Sequence, residues 1–80
     1  MRVRLMFLGR LGALAGAAER DVETAPGATV ETLLDLLEPD LAVGLRSPKV
    51  RIAVGGVLGG LDRFVADGDE VAFLPPVSGG

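Results

Sequence analysis

Val30, Leu33, Leu34 and Leu37 stand at i, i+3, i+4 and i+7, the clearest helical stripe in the chain. A helix this short is not stable alone in water, so its apolar face must be buried against another element. Thr29 occupies the N-cap position, and Glu31 in the first turn complements the helix dipole. Pro39 ends the helix, because proline lacks a backbone donor and its ring clashes with the preceding turn. Asp40 to Arg46 is compatible with a further helical turn. The segments on either side of this stripe alternate with period two, so the surface that buries it is a sheet. With 80 residues, the chain has room for one domain with a thin core.

The strands follow from that alternation. Arg2 to Leu8 puts Val3, Leu5 and Phe7 on one side and Arg2, Arg4, Met6 and Leu8 on the other. Leu11, Leu14 and Ala15 share a face of a short helix within Gly9 to Ala18, where Gly12 and Gly16 weaken helix formation. Glu19 to Thr24 reads as a half-exposed strand, and Ala25-Pro26-Gly27 as a turn. Lys49 to Val54 is a second strong strand, closed by Gly55-Gly56. The Gly59-Gly60 stretch is ambiguous between a loop and a short edge strand. After the turn Asp67-Gly68-Asp69, Glu70 to Leu74 forms the last strand, with Val71 and Phe73 on one face. The fold class is therefore α+β: a mixed sheet of four or five strands, one long helix packed on one face, and a short helix. Residues 1–74 are expected to form the domain and 75–80 an extended tail.

The composition removes most chemistry from the domain itself. There is no Cys and no His, so disulfides, thiolate nucleophiles, imidazole bases and the commonest metal ligands are all missing. Eight cations against eleven acids leave a net charge of −3, which argues against nucleic acid as a partner. The apolar runs Leu11–Ala18 and Ile52–Leu61 are shorter than the ~18 residues a membrane span needs. Arg10 interrupts the N-terminal apolar stretch, which argues against a secretory leader, and the expected location is cytoplasmic. The glycine pairs at 55–56 and 59–60 match neither phosphate-loop spacing, so they read as turns. Asp67, Asp69 and Glu70 lack a calcium-loop spacing and read as a solvated turn.

Two features remain. Met6, Leu8 and Leu74 fall on the strand faces opposite the core residues, so they form an exposed apolar patch if the first and last strands are neighbours. Such a patch marks a protein interface unless loops cover it. The second feature is the end of the chain. Pro75-Pro76 cannot continue a sheet and favours an extended path. From Pro75 to Gly80 the chain can reach roughly 20 Å. Gly79 and Gly80 have no side chains, so the tail can thread a narrow channel and present its carboxylate inside another protein. An ionised carboxylate is a poor electrophile and becomes useful once activated, for instance as an acyl-adenylate.

The run Asp67-Gly68-Asp69-Glu70-Val71-Ala72-Phe73-Leu74-Pro75-Pro76-Val77-Ser78-Gly79-Gly80 resembles the end of the molybdopterin synthase small subunit. The first strand, Gly9-Arg10-Leu11 and the Leu-Ala-Gly helix after it agree with that family. The resemblance implies a β-grasp, ubiquitin-like fold. It implies that Gly80 is adenylated by an ATP-dependent, ubiquitin-activating-like enzyme and converted by a sulfur donor to a thiocarboxylate. The resemblance further implies that the chain binds no cofactor of its own and that ATP is used by the activating enzyme. The tail would insert into the large subunit of the synthase, in a heterotetramer. There sulfur passes to precursor Z to build a dithiolene, with the large subunit providing the catalytic lysine. Met6, Leu8, Leu74, Pro75, Pro76, Val77 and Ser78 would contact the partner, with Leu74 at a position that is hydrophobic in the family. The chain departs from the family at Gly55 to Leu61, which is Gly-rich, leaving the fourth strand open. Sulfur carriers for thiamine, cysteine or tRNA thiolation share the diglycine, as do ubiquitin-like modifiers joined to lysines. A β-grasp interaction module with an incidental diglycine is a further alternative.

Overall fold

The computed structural model describes residues 1–76. Its elements are β1 (Arg2–Phe7), α1 (Leu11–Ala15), β2 (Glu19–Glu23), α2 (Val30–Leu34), α3 (Pro39–Leu45), β3 (Arg51–Val54), β4 (Val57–Gly59) and β5 (Glu70–Leu74). The five strands form one sheet in the order β2-β1-β5-β3-β4. β1 and β5, from opposite ends of the chain, pair in parallel at its centre, and every other pairing is antiparallel. This is the β-grasp architecture, with the helices packed on one face.

The alternation of β1 delivers Val3, Leu5 and Phe7 to that face, where they are buried together with Ile52, Val54, Val71 and Phe73. Val30, Leu33, Leu34, Leu37, Leu41 and Leu45 close over them. Each such side chain, fully buried, contributes about 1.5–3 kcal/mol. In the parallel register Phe7 lies opposite Phe73. Their rings stack with centroids 5.7 Å apart and planes 11° apart, tying the two ends of the chain together at one point in the core.

The long helix expected over the Val30–Leu37 stripe is instead two short ones. Thr29 caps α2 as expected, its Oγ1 accepting from the Thr32 N–H at 3.3 Å. The helix then tightens: the N–H groups of Leu36 and Leu37 donate to the carbonyls of Leu33 and Leu34, three residues back. Pro39 cannot continue the ladder from Asp35, but its fixed φ suits a first helical position. It therefore starts α3 rather than ending the helical region. Leu37 still reaches the core, so the stripe is correct about the face and wrong about continuity.

The Gly-rich segment resolves as an edge hairpin. Val54 pairs with Val57 across Gly55-Gly56, whose φ values are 57° and 82°. Two positive φ values in a two-residue loop match the twist of the flanking strands, and glycine adopts them without strain. β4 is exposed throughout. Arg63 lies along it and donates from Nη1 to the Val57 carbonyl at 3.3 Å. A Cβ at Gly59 would sit 2.7 Å from Arg63 Cγ, so the bare glycine makes room for the arginine.

Candidate functional site at the C-terminal tail

Among the described residues no polar or charged side chain is buried. Among the same described residues no group of three or more His, Cys, Asp or Glu could hold a metal ion, and no helix is long and apolar enough to cross a membrane. The charged side chains pair at the surface. On the outer sheet face Arg4 contacts Asp21 at 3.2 Å and Glu19 at 3.6 Å, and Arg2 contacts Glu23 at 3.1 Å. Asp21, chiefly by its hydrogen bond and then by charge, helped by Glu19, raises the Arg4 guanidinium pKa above its ordinary value. The hydrogen bond from Arg20 lowers the Glu38 carboxyl below the usual glutamate value. That pairing favours the fold above the ordinary glutamate range and is lost as pH falls through the lowered value. Both groups are exposed, and each shift follows from pairing at the surface.

What the domain offers is its C-terminal edge. β5 runs to Leu74 and hands Pro75 and Pro76 out of the sheet, where both remain half-buried. The exit is held from two sides. The Leu8 N–H donates to the Phe73 carbonyl at 3.0 Å. Gly9, at φ 55°, passes so close that a Cβ there would lie 3.2 Å from Pro75 Cγ. A side chain at Gly9 would be strained by the positive φ and would press on the prolyl ring.

β1 and β5 are neighbours, so the condition for a shared outer patch is met. Met6 pairs with Ala72, Ala72 with Ala53, and Ala53 with Leu58. Met6 and Leu74 are half-buried, and Leu8 is 37% and Leu58 55% exposed. Among the described residues no helix covers this face, which is charged at the Arg2 end and apolar at the tail end. Sequence reasoning named Met6, Leu8 and Leu74 but missed Ala53, Leu58 and Ala72. Ala53 and Ala72 were legible, since each alternates with buried neighbours on its own strand. Leu58 was not, because its strand carries no burial pattern. Val77, Ser78, Gly79 and Gly80 lie outside the described residues.

A domain without an interior chemical site, which presents its C-terminal segment beside an uncovered apolar sheet face, has the organisation of a ubiquitin-like carrier. The ThiS family model matches residues 5–80, and the chain belongs to the ThiS family. It is 35% identical to the molybdopterin synthase sulfur carrier subunit of Escherichia coli, over 98% of this chain and 99% of that protein. Among solved structures it is similar to SAMP1 of Haloferax volcanii, with a TM-score of 0.82 and 27% identity over the whole of both chains. The likeness to a complex of subunits 1 and 2 of the molybdopterin-converting factor from Helicobacter pylori, with a TM-score of 0.70 and 23% identity over 100% of each chain, is one of fold.

Proposed function

We propose that this chain is the sulfur carrier subunit of a molybdopterin synthase. The observation that carries this reading is the exit of β5 through Leu74-Pro75-Pro76 beside the apolar face, in a chain whose full-length relative has that role. The domain (residues 1–74) is the handle and residues 75–80 are the working part. A Gly80 carboxylate oxygen attacks the α-phosphorus of ATP on the activating enzyme, and pyrophosphate leaves. Hydrosulfide from the sulfur source then attacks the acyl carbon, AMP leaves and the S–H proton passes to solvent, so the acyl group is a thiocarboxylate. On the large subunit the thiocarboxylate sulfur attacks a carbon of precursor Z and an oxygen substituent leaves that carbon. Water then attacks the acyl carbon of the resulting thioester, the C–S bond to the tail breaks, the sulfur stays on the substrate as a thiolate and the tail returns to a carboxylate. Each carrier brings one sulfur, so a dithiolene consumes two loaded tails. Gly79 and Gly80 keep the tail narrow, and Met6, Leu8, Leu74 and the segment Pro75 to Ser78 contact the partner. No Cys or His is needed in this chain, and ATP places the cycle in the cytoplasm.

The test is the intact mass of untagged protein after incubation with the activating enzyme, ATP and a sulfide source. The expected gain equals one oxygen replaced by sulfur. No gain with a demonstrably active enzyme overturns the reading. The likeness to SAMP1, the small archaeal modifier protein 1 of H. volcanii, favours a second reading, a protein modifier, which predicts high-mass adducts on lysines in cell extract instead.

The partner face yields a separate expectation. Leu74→Glu should weaken binding to the large subunit by about 2 kcal/mol, roughly thirty-fold in Kd, from lost apolar burial and a desolvated charge. Its melting temperature should stay close to that of the wild type, since Leu74 points away from the core. Calorimetric titration and a thermal melt separate the two effects, and an unfolded variant would show that the outer-face assignment is wrong.

A further inference from the structure

The positive charges of this acidic chain are not evenly spent. Arg2, Arg4, Arg20 and Arg46 each contact a carboxylate within 3.6 Å, and Arg63 is turned onto the carbonyls of β4. The remaining three cations, Arg10, Lys49 and Arg51, are exposed and contact no carboxylate among the described residues. All three lie at the tail end of the sheet. Arg10 follows Gly9, which abuts Pro75. Arg51 is the cross-strand partner of Leu74. Lys49 precedes it by two residues, in the turn that leads into β3. At the other end, the cleft lined by Arg2, Arg4, Asp21, Asp67 and Glu70 mixes charges of both signs.

We propose that Arg10, Lys49 and Arg51 form a cationic collar around the root of the tail, and that the protein receiving the tail carries Asp and Glu side chains around the mouth of its channel. This rests on the reading that the tail is delivered into a partner. The apolar patch supplies affinity but little direction, whereas charges around it steer the encounter and fix its register. The ionised carboxylate at the end of the tail would be repelled by an acidic mouth. Three cations at its root outweigh that single negative charge and allow entry.

The experiment measures association rates with the molybdopterin synthase large subunit encoded by the same genome, by stopped flow at low and high salt. Arg10→Glu/Arg51→Glu should associate about tenfold more slowly than wild type at low ionic strength, with the gap closing in high salt. Arg20→Glu/Arg46→Glu changes the net charge equally on the helical side and should alter the rate by less than about twofold. Circular dichroism confirms that both variants fold. Equal slowing by the two variants means that only overall charge acts, and overturns the collar. So does a wild-type rate insensitive to salt, or salt-sensitive self-association of this chain, which would assign the collar to a second copy. A wild-type chain that does not bind the large subunit at all overturns the functional reading together with the collar.

Discussion

Phe73→Ala lowers the stability of this domain by about 3–5 kcal/mol, the cost of emptying a fully buried aromatic site. A chain of 80 residues has only about 4–12 kcal/mol of net stability, from 0.05–0.15 kcal/mol per residue. The variant is therefore largely unfolded at 37 °C, or melts tens of degrees early. Phe73 has no solvent exposure. It stacks on Phe7 of one neighbouring strand and pairs with Ile52 of the other, so no single element can relax into the cavity. Denaturant unfolding followed by far-UV circular dichroism measures the loss, because without Trp or Tyr the chain gives little intrinsic fluorescence. Phe73→Leu keeps most of the volume and should lose less than about 2 kcal/mol. A loss below about 1 kcal/mol for the alanine variant would contradict the central β1–β5 pairing. The same residue positions the tail, since its carbonyl takes the Leu8 N–H one residue before Leu74.

The β1–β5 pair also marks what could and could not be read from the sequence. The inner faces of both strands were legible, because Val3, Leu5, Phe7, Val71 and Phe73 recur with period two, flanked by Arg2, Arg4, Glu70 and Ala72 away from the tail end, and burial enforces that period. Their adjacency was not legible locally. It joins residues more than sixty positions apart in sequence, and only family resemblance supplied it. The apolar patch of Met6, Leu8 and Leu74 was thus a conditional reading until the pairing was seen. The Val30–Leu37 stripe was legible as a buried face, yet periodicity is blind to a helix that tightens and restarts at Pro39. β4 left one local mark, the Gly55-Gly56 turn, because a fully exposed edge strand has no burial to pattern its side chains. The collar was invisible for a different reason: which arginines are already paired is a property of the fold.

Adding a single alanine after Gly80, or deleting Gly80, abolishes sulfur loading while leaving the melting temperature unchanged. On the proposed reading the electrophile is the terminal carboxyl carbon, and among the described residues no buried polar side chain stands ready to compensate for a displaced tail. One residue moves that carbon by about 3.5 Å, whereas a misplacement of ~1 Å can cost about a hundredfold in rate. The added alanine also puts a Cβ where the last residue now has none. Stability should not respond, because the change lies beyond Leu74, where the sheet ends. Intact mass after incubation with activating enzyme, ATP and sulfide reads the first effect, and a thermal melt reads the second. Comparison with Leu74→Glu makes the test sharper. That variant weakens docking to the large subunit, so excess large subunit should restore most of its sulfur-transfer rate, while no concentration of activating enzyme should rescue loading of the extended tail. A tail that still loads at the native rate with an extra residue would mean that the C-terminal carboxylate is not the reacting group. The chain would then be a β-grasp interaction domain whose diglycine has no chemical role.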